Sequence, residues 1–248
     1  MLIVLPPARS QIDCMWCSVW RGAALVKSPI DVAAASAKRE SKMIARTNVR
    51  KVRAAATRAR LQAAGRQLFT LQGYHATGTS DLVALAEVTR GALYHHYADK
   101  EALFEAVFRE VAEELAAAAA EAASRFTGHP WRQLQEGLQT YLRMVAASPE
   151  VQRVLLLDGP VVFGWARWRA IQSDYTFNQL ATGLQALIED GLMVDASPQP
   201  LAHLILAALN DAALSIAHAA DPETARAAAA AALTTLVDGL QRSRRGET

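Results

Sequence analysis

The sequence predicts an all-α protein, and three features of the 248-residue chain support this prediction. Hydrophobic residues make up 52% of the chain, which is enough to bury a sizeable core. Alanine and leucine dominate the apolar positions, and runs of β-branched residues in period-two alternation are missing. Glycine and proline fall at wide intervals, so the chain divides into about nine or ten helices.

Residues 1–42 are predicted to be a disordered N-terminal extension. They contain Pro6, Pro7 and Pro29 among scattered polar residues, and they show no sustained helical period. A second methionine, Met43, precedes the basic sequence IARTNVRKVRAAATRARLQAAG. One hypothesis is therefore that the natural start lies at Met43 and that residues 1–42 are an extension.

Cys14 and Cys17 form a CxxC pair, which could be half of a zinc site or a redox pair. No second CxxC, spaced pair of histidines or βαβ pattern accompanies it, so two incidental cysteines are the simpler interpretation. Without a disulfide framework, a cytoplasmic location is expected. The N-terminal MLIVLPPARS lacks the basic start of a secretory signal.

Charge is distributed unevenly along the chain, although the net charge is only +2. Residues 38–100 contain 12 Lys and Arg against 4 Asp and Glu, whereas residues 101–248 contain 11 against 18. A basic module on an acidic body suggests that the N-terminal part binds a polyanion, because Lys and Arg that neutralise phosphates release counterions. A merely solvated basic face is the alternative.

The basic part begins with an arm that contains Arg46, Arg50, Lys51, Arg53, Arg58 and Arg60. The first firm helix follows, and its apolar residues at helical spacing are Leu61, Ala64, Leu68 and Phe69. This helix is predicted to stop at Gly73, and its apolar face must pack on the helices that follow.

Residues 77–103 predict a helix-turn-helix. Thr77 or Thr79 could cap the second helix, and a turn is expected at Glu87 and Val88. Thr89 would cap a third helix, RGALYHHY, that is too short to be stable alone. Helical spacing buries Leu93 and Tyr97 of this helix and leaves outward Thr89, Arg90, Ala92, Tyr94 and His95.

Six further helices are predicted beyond the helix-turn-helix. Asp99 caps a long one that buries Leu103, Phe104, Val107, Phe108, Val111 and Leu115. Others cover residues 131–147 and a shorter stretch after Pro149, and a break at residues 158–160 precedes a long helix with a possible bend at Gly164. The last two helices start at Ser197–Pro198 and Asp221–Pro222. The apolar stretch 201–220 contains Asn210 and Asp211, which favours a buried helix over a membrane span.

The helical body contains candidate ligand-binding residues, because aromatic walls with a few polar groups suit a pocket between helices. Aromatic residues are concentrated between positions 163 and 177. The candidates are Tyr141, Asp158, Phe163, Trp165, Trp168, Tyr175, Asn178 and Asn210. Ordinary core packing, capping or solvent exposure could explain each of them equally well.

The stretch from about residue 58 to 111 resembles the DNA-binding domain of the TetR family of bacterial transcriptional repressors. The resemblance rests on LFTLQGYHATGTSDL, on VTRGALYHHYADKEALFEAVF and on the spacing between them, above all on GxLYHHY followed by KEALF. Glu87 departs from the family, which usually has glycine in this turn, and a positive φ is less favourable for Glu.

The resemblance implies roles for individual residues. The third helix would lie in the major groove, where Arg90 reads guanine and Ala92 contacts a thymine methyl group. Gly91 would let the backbone approach DNA. Phosphates would be held mainly by Thr79, Thr89, Tyr94, His95 and Lys100. The helix after Asp99 would act as a lever to the body, and the last two Ala-rich helices would form a dimer interface, with burial inside one chain as the alternative.

We therefore predict a homodimeric, sequence-specific, cytoplasmic repressor that a small-molecule inducer releases from its DNA operator, with no cofactor, no metal and no membrane partner. Residues 43–104 would form the basic arm and DNA-binding domain, residues 105–242 the helical ligand-binding and dimerisation domain, and residues 243–248 a flexible tail. One alternative is a similar regulator with a protein partner or no ligand. A small helical enzyme is a remote alternative, since no set of nucleophile, base and orienting residue is evident.

Overall fold

The computed structural model describes the backbone of residues 29–242 and the side chains of residues 49–242. The prediction of an all-α fold is confirmed: this part of the chain holds nine α-helices, one π-helix and no strand. The helices are α1 (Pro29–Ala76), α2 (Thr79–Leu85), α3 (Arg90–His96), α4 (Lys100–Ser124), α5 (Pro130–Ala147), the π-helix (Val151–Asp158), α6 (Gly159–Phe163), α7 (Trp165–Glu189), α8 (Pro198–His218) and α9 (Pro222–Asp238). The described part of the chain divides at Ala54 into two units, residues 29–54 and 55–242.

Helix α1 begins at Pro29, earlier than the sequence predicted. The expectation of an irregular segment up to residue 42 is therefore wrong for residues 29–42, while residues 1–28 lie outside the described part. The alanines of VAAASAK have the highest helix propensity, and proline is well tolerated in a first helical turn, which outweighs the missing amphipathic period. Where the helix was predicted to stop, Gly73 takes φ +81° and kinks it.

The caps of α2 and α3 follow from their sequences. The predicted Thr77 or Thr79 cap of α2 is wrong: Gly78 is the N-cap residue, and its N–H donates to the Asp81 carboxylate at 3.3 Å. Thr77 is buried, and its hydroxyl donates to the Gly73 carbonyl at 2.7 Å, which ties it to the kink instead. The Thr89 cap of α3 is confirmed, since its hydroxyl accepts from the Ala92 N–H at 3.2 Å.

Helix α4 runs through the core of the second unit. Asp99 caps it as predicted, accepting from the Ala102 N–H at 2.7 Å. Its predicted apolar stripe, Leu103, Phe104, Val107, Phe108, Val111 and Leu115, is entirely buried. The first half of α4 packs against α1, where the rings of Phe104 and Phe69 lie 5.1 Å apart between their centres, and α4 also packs along α5. One rigid element is thus shared by the helix-turn-helix and the body.

The break predicted at residues 158–160 is absent. Asp158 and Gly159 have helical φ and ψ, and Pro160 lies in the first turn of α6, where its missing N–H is not needed. The chain bends later, at Gly164 with φ +74°, which is the bend that the sequence allowed. The segment from Val151 to Phe163 is therefore continuous helical structure beside α4.

Helices α8 and α9 begin at Pro198 and Pro222, as predicted. α8 is the one described helix that is long and apolar enough to cross a membrane. It is a core helix of the bundle, since Ala202, Ile205, Leu209, Ala213 and Ile216 are buried and it packs against α5, α7 and α9. This confirms its interpretation as a buried helix.

Candidate DNA-binding surface and ligand cavity

The outward face of α3 is a compact polar surface. Thr89, Arg90, Gly91, Tyr94 and His95 are exposed, whereas Leu93 is fully buried and fixes the helix on the core. The Arg90 guanidinium lies 5.9 Å from the centre of the Tyr94 ring, so the two side chains, one turn apart, stand side by side. Of the other predicted contact residues, Ala92 and Thr79 are half-buried.

Gly91 has no structural need to be glycine. A Cβ at this position would meet only the Thr89 hydroxyl oxygen, at 3.9 Å, which is an ordinary contact. Any larger residue would nevertheless raise the surface of α3 beside Arg90. Because Gly91 has no side chain, another molecule can approach the α3 backbone at this position.

Lys100, which was predicted to contact a phosphate, also has contacts within the chain. Its ammonium donates to the carbonyls of Tyr74 at 2.9 Å and Thr77 at 3.0 Å, and it lies 4.1 Å from the centre of the Tyr74 ring. Burial lowers the pKa of Lys100. This lysine fastens the end of α1 and the start of α2 to α4, so it positions the helix-turn-helix.

The turn between α2 and α3 contains the one non-glycine residue with positive φ in the described part, Glu87 at +52°. A side chain in this conformation is strained by about 1–2 kcal/mol relative to glycine. The sequence had indicated this position as a departure. The turn keeps its geometry, because the Val88 N–H donates to the Val83 carbonyl at 3.0 Å.

A cluster of ion pairs joins α1 to α4 and to the residue before the π-helix. Arg66 pairs with Glu150 at 2.6 Å and with Glu114 at 2.5 Å, and it reaches Glu110 at 3.4 Å. Hydrogen bonds from Arg66 hold the pKa of Glu114 below its usual value. This cluster of ion pairs was not predicted from the sequence, because its members are up to 84 residues apart.

The other end of the π-helix contacts the end of α1. The Asp158 carboxylate accepts from the Tyr74 N–H at 2.7 Å, and Arg153 donates to the Gln72 carbonyl at 3.4 Å, beside the kink at Gly73. Asp158 was predicted to point into a ligand pocket, but it is used at this junction instead. The π-helix therefore has a polar contact with α1 at each end.

A cavity of about 660 Å³ lies between α4, α5 and α7, with Leu209 of α8 at its base. Its apolar wall consists mainly of small residues and leucines: Ala116, Ala119, Ala120, Ala123, Pro130, Leu134, Gly137, Leu138, Leu180, Gly183, Ala186 and Leu209. Its polar groups are Ser124, Gln133, Tyr141, Thr176, Asn178, Gln179 and Thr182. None of these residues is charged.

Two of the eight predicted ligand residues, Tyr141 and Asn178, line this cavity. Trp168 is fully buried in the core, where its indole N–H donates to the Leu155 carbonyl at 2.6 Å. Trp165 is 55% exposed at the start of α7. Four more predicted residues do not line the cavity. Phe163 packs on Phe104 and Phe108. The others are Tyr175, which is half-buried, Asn210, which is buried, and Asp158.

The cavity is lined mainly by small residues, whereas the sequence had predicted that aromatic residues would line it. Small residues four apart or nearly so on facing helices, such as Ala116, Ala120 and Ala123 of α4 opposite Gly137 of α5, were the available signal. Their importance depends on which helices face each other. That pairing is a property of the tertiary fold.

A second groove, of about 390 Å³, lies between the end of α4 and α5. Half of its lining residues are charged, namely Glu121, Arg125, Glu136 and Arg143. These charges are already paired within the groove, Arg125 with Glu121 at 3.3 Å and Arg143 with Glu136. The two sides of the α4–α5 pair thus differ sharply in polarity.

The apolar residues of α9 are partly buried and partly exposed. Ala230, Leu233 and Val237 are buried, whereas Ala228, Ala232 and Leu236 are exposed, the last by 50%. On α8, Leu204 is 68% exposed. The described part of the chain leaves these exposed residues uncovered, and the dimer interface stays a prediction.

No group of three or more His, Cys, Asp or Glu with metal-binding geometry occurs where the side chains are described. The CxxC pair, Cys14 and Cys17, and the tail at residues 243–248 lie outside the described residues, and Arg46 of the basic arm lies outside the described side chains. The remaining arm residues, Arg50, Lys51, Arg53, Arg58 and Arg60, are exposed. Arg58 also lies 5.3 Å from the centre of the Tyr97 ring.

Comparison with known families and structures gives consistent matches. Residues 61–107 match the bacterial regulatory proteins of the tetR family, and residues 131–240 match the tetracyclin repressor-like C-terminal domain. A TetR-family transcriptional regulator from Pectobacterium atrosepticum is 34% identical, with a TM-score of 0.70, over 78% of this chain and 98% of that one.

More distant structures share the fold. A tetR-family transcription regulator from Shewanella is 21% identical, with a TM-score of 0.59, over 75% of this chain and 99% of that one. The structure of RolR in complex with its ligand resorcinol is 18% identical, with a TM-score of 0.60, over 75% of this chain and 89% of that one.

Proposed function

Because the chain belongs to the TetR family of bacterial transcriptional regulators, we propose that it is a homodimeric repressor whose helical body binds a small-molecule inducer. Members of this family are transcriptional regulators rather than enzymes. The observation that carries the proposal is the combination of an exposed α3 face with an uncharged cavity: Lys100 at the start of α4 holds the end of α1 and the residue before the α2 cap, and the second half of α4 lines the cavity.

The α3 face has the properties of a major-groove reader. Arg90 can donate two hydrogen bonds to guanine O6 and N7, and Ala92 can contact a thymine methyl group. Thr79, Thr89, Tyr94 and His95 are placed around them, where phosphates would lie. Gly91 lets the backbone come close, and Lys100 contributes by holding the helix-turn-helix on α4.

The exposed apolar face of α8 and α9 supports dimerisation. In a dimer, the α8 and α9 helices of a second copy would bury this face, which contains Leu204, Ala228, Ala232 and Leu236. Its small residues let helices approach closely. A two-fold dimer would place two α3 helices about one turn of DNA apart, on the two halves of a palindromic operator. Such a repressor is expected to work in the cytoplasm.

Helix α4 offers a route from the cavity to the operator, and the π-helix beside it makes polar contacts with α1. Its ends contact α1 through Glu150 and Asp158, and α4 borders both the cavity and the helix-turn-helix. An inducer that prefers a different placement of α4 and α5 would shift the separation of the two α3 helices. RolR, which has the same fold, binds resorcinol in its solved complex, and this supports ligand binding by the body.

The test is a titration of the full-length protein against a DNA fragment from upstream of its gene, at several salt concentrations. We expect affinity about 10³-fold or more above that for a scrambled fragment of the same length, with a steep dependence on salt. Equal affinity for both fragments would contradict sequence-specific repression.

Dimerisation is tested separately by sedimentation of Leu236→Glu. We expect a shift from dimer to monomer and a loss of tight operator binding, because two charges would be buried at the two-fold interface. Leu71→Glu is the matched control, since Leu71 is 73% exposed on α1, away from α8 and α9. A Leu236→Glu protein that remains dimeric would rule out this face.

A regulator with a protein partner or without a ligand is the second candidate. It predicts that operator binding is retained but that no small molecule changes it. The cavity of about 660 Å³ favours the first candidate, since it lies within the size range of ligand pockets.

A further inference from the structure

The cavity between α4, α5 and α7 is unusual for its chemistry rather than for its size. None of its lining residues is Asp, Glu, Lys, Arg or His. The neighbouring groove on the other side of the α4–α5 pair shows that the same helices carry charges where they face solvent. A charged ligand in the uncharged cavity would lose hydration without gaining a counter-charge, which is strongly unfavourable.

Tyr141 adds a specific polar requirement. It is only 5% exposed, and it lines the cavity. Burial raises the pKa of Tyr141, so the phenol stays protonated and can donate a hydrogen bond. A ligand that presents an oxygen acceptor in the cavity can accept a hydrogen bond from this hydroxyl.

The rest of the wall is mainly apolar, and its other polar groups are uncharged. Alanines of α4 and the glycines of α5 and α7 replace the larger side chains that would otherwise fill the space. Gly183 lines the cavity and is exposed, and a Cβ there would meet no atom within 4 Å, so a larger side chain can be placed at this position without displacing protein atoms. This wall suits a hydrocarbon skeleton.

We infer that the ligand of this cavity is a neutral, mainly apolar molecule with an oxygen acceptor, such as a ketone, ester or alcohol, and that carboxylates, phosphates and amines are excluded. This inference rests on the proposed function, since it assigns the ligand class of the same cavity. It makes Tyr141 the residue that recognises the acceptor and Gly183 the residue that keeps the cavity open.

The test uses three probes with one skeleton and different charge: 2-decanone, decanoate and decylammonium, each at equal concentration below its aggregation limit. Thermal unfolding of the full-length protein is followed with each probe, because a ligand that binds the native state raises the melting temperature. We expect a rise with 2-decanone and none with the two charged probes.

Three variants connect the shift to the cavity. Gly183→Leu should abolish the effect of 2-decanone by filling the space, whereas Gly183→Ala, the matched control, should keep most of it. Tyr141→Phe should weaken 2-decanone binding about two- to tenfold, the usual range for one lost hydrogen bond. Circular dichroism without any probe should be unchanged in the Gly183 variants, which checks that they are folded.

The outcomes separate the inference from the function on which it rests. Binding of decanoate or decylammonium that Gly183→Leu abolishes would overturn the neutral ligand class and leave an inducible regulator in place. A shift that persists in Gly183→Leu, or no shift with any probe, would overturn the cavity assignment itself. Operator binding in the absence of probes reports independently on the DNA-binding part of the proposal.

Discussion

The α3 face and the α4–α5–α7 cavity differ in how the chain builds them. The exposed residues of α3 come from seven consecutive positions, 89–95, and one buried leucine, Leu93, orients them. The cavity wall comes from four helices that span residues 116–209, and it is formed as much by missing side chains as by present ones. The first region depends on individual side chains, whereas the second depends on how whole helices are spaced.

This difference predicts that substitutions in the core of the helical body act mainly on folding, while substitutions on α3 act mainly on DNA binding. Trp168→Ala should have the largest effect, because it removes a fully buried indole and its hydrogen bond to Leu155. We expect a loss of about 3–5 kcal/mol in the free energy of unfolding, measured with urea. Trp165→Ala, at an exposed tryptophan three residues away, should change it by less than about 0.5 kcal/mol.

Arg90→Ala should weaken operator binding and leave stability unchanged. We expect a loss of about 1–3 kcal/mol in operator affinity with relaxed base preference, and an unchanged free energy of unfolding, because Arg90 is exposed. Band-shift titrations against operators with single base changes would measure this. Arg169→Ala, at an exposed arginine of α7, is the control. Equal weakening on every DNA would assign Arg90 to phosphate instead.

Gly91→Ala should separate protein stability from operator affinity at a single position of α3. Alanine favours helix and its Cβ fits the protein, so stability should be kept or slightly raised. Operator affinity should nevertheless fall about tenfold, or about 1.4 kcal/mol, because the methyl group would hold the backbone away from DNA. Retained affinity would show that the backbone does not approach DNA at this residue.

Glu87→Gly should stabilise the helix-turn-helix by up to about 1 kcal/mol. Glycine removes the strain of φ +52°, and its greater freedom in the unfolded chain offsets part of the gain. Urea unfolding beside Glu87→Ala, which keeps a Cβ at the same φ, would isolate the effect of conformation. A destabilised glycine variant would mean that the turn is unstrained.

The Arg66 cluster should give the smallest effect, a pH dependence of stability. The pKa of Glu114 is lowered in the folded protein, so its contribution is present above the ordinary value of 4.5 and is lost as pH falls through the lower folded value. Because Glu114 is about half exposed, the contribution should stay below about 1 kcal/mol. Arg66→Met should remove this component when urea unfolding at pH 7 and pH 3.5 is compared.

The sequence alone determined the elements and the outer face of α3. Turn residues and caps such as Thr89, Asp99 and Asp221 act on neighbours within three positions, so local pattern was enough to place α3, α4 and α9. Helical spacing likewise separated buried Leu93 from exposed Arg90. The alanine-rich start of α1 was missed because propensity, rather than amphipathic period, forms the helix there.

Only the tertiary structure decided which residues line the cavity and which join the helix-turn-helix to the body. Trp168, Asp158 and Lys100 carry groups that could serve a ligand or a phosphate, and each is instead satisfied by a partner from another helix. The cavity arises where small residues of α4, α5 and α7 meet. A side chain's role depends on what faces it across the bundle, and sequence spacing within one helix does not contain that information.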